Sequence, residues 1–118
     1  MTKNELMEYC KAKPGVTVEF PFDSSCMSFK LVSKFFAFTD IDDDRVAISL
    51  KCDPLLAVAF REEYEGVTPG YHLNKKHWNT VYGDMDVPRE KVLDMIDMSY
   101  NLIYKGLKKR EREELALQ

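Results

Sequence analysis

Residues 69–81, PGYHLNKKHWNTV, form the segment of this sequence that is richest in side chains able to bind a ligand or take part in a reaction. The segment holds two histidines, two lysines, two asparagines, a tyrosine and a tryptophan. Imidazoles act as bases or metal ligands, ammonium groups attract phosphate, and aromatic rings stack on bases or wedge against a groove. Four interpretations follow: an active site, a metal site, a nucleic-acid-binding surface, or a polar loop that holds a small fold together.

The spacings do not favour an active site or a metal site. A nucleophile needs a base and an orienting group beside it, and His72 and His77 would lie near Cys52 only if Cys52 ends a neighbouring strand. Zinc needs about four ligands, and Cys10 and Cys26 are far from this segment in the sequence. No nucleophile-elbow, phosphate-binding glycine loop or zinc-protease motif is present. We therefore expect no enzyme activity, no metal, no cofactor, and buried free thiols.

The charge distribution is polarised although the net charge of −3 does not indicate a strongly basic protein. Acidic residues concentrate in DIDDD at 40–44, which we interpret as a solvated turn. Basic residues concentrate at 105–112, where Glu111 is the only acidic side chain. Basic residues at the end of a helix also complement the helix dipole, so this segment does not by itself indicate a ligand.

Nucleic-acid binding is the function that the loop supports best. Lys75 and Lys76 could contact phosphate, with His77 and Trp78 beside them. A lone tryptophan at the start of a strand is, however, more typical of a core or half-core position, because its ring buries a large area. The predicted nucleic-acid-binding residues are Lys30, Lys34, Lys51, Lys75, Lys76, His77 and Trp78. The residues predicted to hold the loop to the sheet through hydrogen bonds are Tyr71, His72, Asn74 and Asn79.

Hydrophobic periodicity predicts the elements that must position these residues. Thr2 and Glu5 have the spacing of a capping box and start a short helix that Pro14-Gly15 ends. Alternating apolar residues predict strands, which cover about 16–22, 27–31, 35–39, 45–52 and 78–82. Asp53-Pro54 starts a second helix that Gly66 ends, and Asp86 caps a long last helix.

The predicted fold is a single α+β domain over residues 1–118 with a basic helix end at about 105–118. Its elements follow the order α-β-β-β-β-α-β-α, and its helices cover one face of an antiparallel sheet. Hydrophobic residues make up 45% and charged residues 31%, no apolar run approaches the roughly 20 residues of a membrane span, and the N-terminus has no signal-peptide pattern. We expect a cytoplasmic monomer without membrane contact.

Several segments together resemble the MmcQ/YjbR family of small bacterial proteins from about Phe20 to Leu107. These segments are FK at 29–30, SKFFAF at 33–38, SLKCDP at 49–54, PGYHLNKKHWNTV at 69–81 and SYNLIYKGL at 99–107. The resemblance implies an α+β fold similar to frataxin/CyaY and to secretion chaperones. Members are commonly labelled DNA-binding proteins with two hairpin wings. Here the wings would be the hairpin tipped by Ser33-Lys34 and one near Gly83–Asp86, which is acidic.

Three hypotheses about function follow. The first is weak, sequence-independent DNA binding through the basic-aromatic loop and the hairpin wings. The second is a protein-interaction or chaperone-like module that uses an exposed sheet face or the 69–81 loop. The third is an enzyme that uses His72 or His77.

Overall fold

The computed structural model describes residues 1–117, so Gln118, the last residue of the predicted domain, lies outside the described residues. The elements are α1 (Lys3–Lys11), β1 (Val16–Glu19), β2 (Cys26–Leu31), β3 (Lys34–Asp40), β4 (Ala47–Lys51), α2 (Pro54–Glu63), β5 (Val67–Pro69), β6 (Trp78–Tyr82), α3 (Arg89–Lys105) and α4 (Lys109–Ala116). The strands form one antiparallel sheet in the order β1-β2-β3-β4-β6-β5. The predicted fold class and order are confirmed, and β5 and α4 are additions to them.

The helix starts that were predicted from capping residues are present for α1 and α2. Thr2 and Glu5 make both hydrogen bonds of a capping box, and the Asp53 carboxylate accepts from the N–H groups of Leu55 and Leu56. The predicted cap of α3 is wrong. Asp86 accepts from the N–H groups of Glu65 and Gly66 instead, so it holds the turn before β5.

Two element ends also differ from the prediction. β1 ends at Glu19, three residues earlier than predicted, because Pro21 has no N–H to donate to a ladder. The last helix is two helices, since α3 ends at Lys105 and α4 begins at Lys109. The N–H of Lys108 donates to the Glu111 carboxylate and the Leu115 side chain packs near Gly15, so tertiary contacts stabilise this short second helix.

The core lies between one face of the sheet and the helices. The strands contribute the fully buried side chains of Phe29, Leu31, Phe36, Ala37, Ile48, Leu50 and Val81. The longest helix, α3, packs against β2, β3 and β4, and Val92, Ile96 and Ile103 face this core. None of the helices within residues 1–117 is long and apolar enough to cross a membrane.

Candidate nucleic-acid interface

The second face of the sheet carries the residues of opposite parity, and none of the helices within residues 1–117 packs on it; we call it the open face. Successive side chains of a strand point to opposite faces, except at the β-bulge of β3, where Phe36 and Ala37 are both buried; the other neighbours of the buried residues point here. The register pairs Lys30 with Phe35 across β2 and β3, and Lys51 with Trp78 across β4 and β6. Two lysines therefore each lie directly beside an aromatic residue on the same face.

Four aromatic rings meet on the open face and form what we call the aromatic cluster: Phe22, Phe35, Phe38 and Trp78. Phe38 is at its centre, with ring centroids at 6.0 Å to Phe22, 5.5 Å to Phe35 and 5.5 Å to Trp78. Phe22 is 69% exposed, and the other three rings are half-buried. Trp78 thus lies in a surface cluster and outside the main core, which settles the place that its sequence context left open.

The two lysines of the open face differ in their surroundings. The Lys30 ammonium lies 3.4 Å from the Glu19 carboxylate and 5.7 Å from the centroid of the Phe35 ring. Lys51 is half-buried, and its ammonium makes no ion pair within the part of the chain that the structure describes. Lys51 is consequently the cation of this face with most capacity for a new anionic partner.

The loop between β5 and β6 is held mainly by its backbone. The Cys52 N–H donates to the carbonyl of His77 at 2.8 Å, and the Tyr71 N–H donates to the Thr80 hydroxyl at 3.1 Å. The Asn74 side chain accepts from the N–H of Lys76 at 2.9 Å, which closes the turn before β6. These bonds join the loop to the corner at residues 49–54 and to β6.

The side chains of this loop are less constrained than its backbone. The Tyr71 ring is 71% exposed and lies 4.0 Å, centroid to centroid, from the ring of His72, which has a φ of 58°. Neither imidazole makes a hydrogen bond within residues 1–117. Lys75 is exposed and donates to the Gly70 carbonyl at 3.2 Å, whereas the exposed Lys76 ammonium has no such contact among the described residues.

Asn79 has a structural place beneath the loop. Its side chain is 2% exposed, donates to the Ala57 carbonyl at 3.2 Å and accepts from Arg61 at 2.9 Å. Arg61 also donates to the Lys75 carbonyl at 2.8 Å. Asn79 and Arg61 therefore connect β6, α2 and the loop, and they fix where Trp78 emerges on the open face.

The tip of the β2–β3 hairpin contacts the end of α3 and the start of α4, although Ser33 and Lys34 stay exposed. The Lys34 ammonium donates to the Gly106 carbonyl at 2.8 Å, and the Ser33 hydroxyl donates to Glu111. The hydrogen bond from Ser33 and that from the Lys108 N–H lower the pKa of Glu111. Val32 occupies the turn with a φ of 57°, a left-handed conformation that a β-branched residue rarely adopts. The hairpin is present as predicted, but its tip does not protrude as a free wing.

The second wing is not present at its predicted position. Residues 83–86 join β6 to α3 and do not connect two strands. Arg45 donates two hydrogen bonds of 2.9 Å to the Asp84 carboxylate and thereby lowers the pKa of Asp84 to about 2. This end of the sheet is acidic, because the DIDDD turn lies at the same ends of β3 and β4.

The acidic end and the open face share a groove of about 710 Å³. Its walls include Phe22, Phe38, Tyr71 and His72, and Asp40 lies at its acidic end. Lys30 and Lys51 lie at the opposite ends of their strands, as do the hairpin tip and the basic start of α4. The long axis of the strands therefore runs from an acidic end to a basic end.

Sequence reasoning missed two parts of this surface. It did not find Phe22, because that residue was assigned to β1 and reaches Phe38 only through the β1–β2 connection. It also left the basic residues Lys108, Lys109 and Arg110 out of the candidate set, although the contact of Glu111 with Ser33 brings the start of α4 to the hairpin tip. The cluster of cations near 105–112 was the signal available.

The thiols and carboxylates offer no metal centre among residues 1–117, where no group of three or more potential ligands comes together. Cys10, Cys26 and Cys52 are free thiols. Burial raises the pKa of the Cys10 thiol to about 12 and that of the Cys52 thiol to about 11. Both groups are held in the protonated, unreactive form near neutral pH.

The fold and the open face define a class of small α+β proteins in which helices cover only one side of a six-stranded antiparallel sheet. The chain belongs to the YjbR family, whose model matches residues 11–102. Uncharacterized protein YjbR of Escherichia coli K12 is 36% identical over 98% of both chains, and Uncharacterized protein YbdF of Escherichia coli O157:H7 is 33% identical over the same shares. The crystal structure of Deinococcus radiodurans protein DR2400, a DUF419 domain, matches with a TM-score of 0.89 and 40% identity over 98% of this chain and 88% of that one.

Proposed function

We propose that this protein binds nucleic acid weakly and without sequence specificity, and that the open face is the binding surface. The observation that carries the proposal is the pairing of Lys30 with Phe35 and of Lys51 with Trp78, with Phe38 between the two pairs. Lysine ammonium groups attract phosphate, and adjacent aromatic rings stack on bases irrespective of their identity. The combination binds the polymer without reading its sequence.

The surroundings of the open face are consistent with weak binding. Glu19 competes for Lys30, and the carboxylates at the acidic end repel phosphate. The loop adds Lys75 and Lys76, three and two residues before Trp78, at the basic end of the sheet. Lys34 and His77 belong to the same end, although Lys34 is engaged by the Gly106 carbonyl. Charge attraction is therefore confined to one half of the molecule.

The proposal is tested by anisotropy with a labelled DNA that has a duplex part and a single-stranded tail, so that either form can bind. We expect the affinity to fall as salt rises. Replacing Lys30 and Lys51 together by alanine should weaken binding about tenfold or more at low salt. It should also reduce the slope of the logarithm of the binding constant against the logarithm of the salt concentration by about 1.5 to 2.

The matched control replaces Lys11 and Lys91, which lie on α1 and α3 and change the net charge equally. It should leave the salt slope close to that of the unmodified protein. The absence of binding at low salt, or an equal loss in both double variants, would refute a specific role of the open face.

A second candidate is protein interaction through the groove of the open face. The observation that favours it is the exposure of two aromatic side chains at the groove, Phe22 at 69% and Tyr71 at 71%. The test is capture of a partner from nuclease-treated lysate. A partner retained by the unmodified protein and lost on Phe22→Ala with Tyr71→Ala supports this candidate, and identical capture by both proteins counts against it.

A further inference from the structure

We infer that the open face takes nucleic acid as a single strand, whose bases stack on the aromatic cluster while its phosphates lie beside Lys30 and Lys51. The inference rests on the proposed function and specifies the form of the ligand. It concerns the same surface but makes a separate claim, since a protein that binds phosphate by charge alone would accept a duplex equally well.

The aromatic cluster has the form of a stacking platform. Its rings come from β3, from β6 and from the β1–β2 connection, and each of the three outer rings is 5.5 to 6.0 Å from Phe38. The rings are tilted by 41° to 51° to one another, so they do not close into a stack that would exclude a ligand. A platform of this size accommodates about two or three bases.

Stacking on such a platform requires bases with an accessible face. In a duplex both faces of each inner base are covered by its neighbours, whereas an unpaired base can be turned out and placed on a side-chain ring. Phe22 is the ring best placed for this contact because most of its surface is exposed. Phe38 lies next to Phe22, and Trp78 lies next to Phe38. These two rings would hold the adjacent base.

Neither of the two predicted wings offers an element free to enter a duplex groove. Readout or wedging in a groove needs a protruding helix, ribbon or loop. The hairpin tip is held by Lys34 to the Gly106 carbonyl at the end of α3 and by Ser33 to Glu111 of α4. The segment at 83–86 is acidic and is held to Arg45 through Asp84. Of the two positions at which wings were predicted, the hairpin tip is therefore held to the helices, and residues 83–86 form an acidic connection between β6 and α3.

The lysines set the course of the strand across the platform. Lys30 lies on β2 and Lys51 on β4, on either side of β3, so the aromatic residues of β3 lie between the two cations. Asp23, Asp40 and Asp43 line the other end of the groove. Charge complementarity thus confines the phosphates to the basic half of the open face and directs the strand across β2, β3 and β4.

Trp78 makes this arrangement directly measurable because it is the only tryptophan of the chain. The experiment titrates the full chain with an oligothymidylate of about 12 nucleotides at low salt, and separately with the same oligomer annealed to its complement. Trp78 fluorescence reports contact with the platform, and anisotropy of a labelled oligomer reports binding of any kind. We expect the single strand to quench Trp78 and to bind at least about tenfold more tightly than the duplex.

The decisive variant is Phe22→Ala, which removes an exposed ring and is not expected to unfold the protein. It should weaken binding of the single strand about tenfold and leave binding of the duplex nearly unchanged. The matched control is Leu55→Ala on α2, where a side chain that is 84% exposed is truncated away from the open face. This control should bind both oligomers as the unmodified protein does.

The outcomes separate the inference from the proposed function. If the duplex binds as tightly as the single strand, with salt dependence but without quenching of Trp78, the single-strand inference is overturned and the proposed function stands. If Phe22→Ala and Leu55→Ala weaken binding equally, the platform is not the binding surface. If neither oligomer binds at low salt, both the inference and the proposed function fail.

Discussion

Ser99 is the buried polar residue on which the geometry beneath the open face depends most directly. It lies on α3 with no exposed surface, and its hydroxyl donates to the Phe36 carbonyl at 2.6 Å and accepts from the Lys51 N–H at 2.9 Å. The β3–β4 pairing begins with Ala37 opposite Leu50. Phe36 and Lys51 are the next residues outward, so the Ser99 hydroxyl bridges the two strands one position beyond their last pair.

The Ser99→Ala variant should lose about 2 to 4 kcal/mol of the free energy of unfolding. It leaves one buried backbone carbonyl and one part-buried N–H without their partner. A buried unsatisfied group costs about 1 to 3 kcal/mol, and the part-buried N–H lies at the lower end of that range because water reaches it more easily. The change in side-chain volume is a single oxygen atom, so a large cavity does not contribute. The predicted loss is a substantial part of the roughly 5 to 15 kcal/mol that stabilises a typical domain.

Urea unfolding followed by Trp78 fluorescence measures this loss. With a denaturant dependence of about 2 kcal/mol per molar urea, the midpoint should fall by about 1 to 2 M while the slope stays unchanged. The control is Ser24→Ala, at an exposed position, which should change stability by less than about 0.5 kcal/mol. A loss for Ser99→Ala no larger than that of the control would show that the two backbone groups find other partners.

The ion pair at the acidic end and the buried thiols give two further predictions. Asp84 has a folded pKa of about 2, below its ordinary value of 3.8, so the stabilisation from Arg45 is present above about pH 4 and lost as the pH falls towards 2. Asp84→Asn should therefore unfold at lower urea than the unmodified protein at about pH 6 and at nearly the same urea at about pH 2; a constant difference would contradict this. A thiol reagent at about pH 8 should modify the half-buried Cys26 first, and Cys10 and Cys52 only on unfolding, as followed by mass spectrometry of the peptides; equal rates would refute the assigned burial.

Local signals predicted the elements wherever a short segment specifies its own conformation. The capping residues Thr2 and Asp53 make the hydrogen bonds that their positions indicated, because both partners lie within three residues. Strand alternation also specifies the side of Lys51, which lies away from the core because its neighbours Leu50 and Cys52 are buried. The parity of a strand is a property of the covalent chain, so it needs no knowledge of the neighbours.

Short or uncapped elements were not predictable in the same way. β5 has three residues and ends in proline, so it has no periodicity of its own and exists through its pairing with β6. The helix α4 depends on two tertiary contacts: Glu111 accepts a hydrogen bond from Ser33, and the Leu115 side chain packs near Gly15. Ser99 lies between Ile96 and Ile103 at helical spacing, on the same buried side of α3. This spacing was the one sequence signal that the Ser99 side chain is buried.

The sequence by itself determined the α+β class, the parity of the strands and the starts of the first two helices, because each is specified by residues within a few positions of one another. Tertiary structure alone decided which side chains form a surface together. Phe22, Phe38 and Trp78 are far apart in the chain and meet only because the strand order places β3 near β6 and the β1–β2 connection folds over β3. The same packing holds the hairpin tip to α4 and to the end of α3. The candidate interface therefore lies on the open face of the sheet and not at the predicted wings.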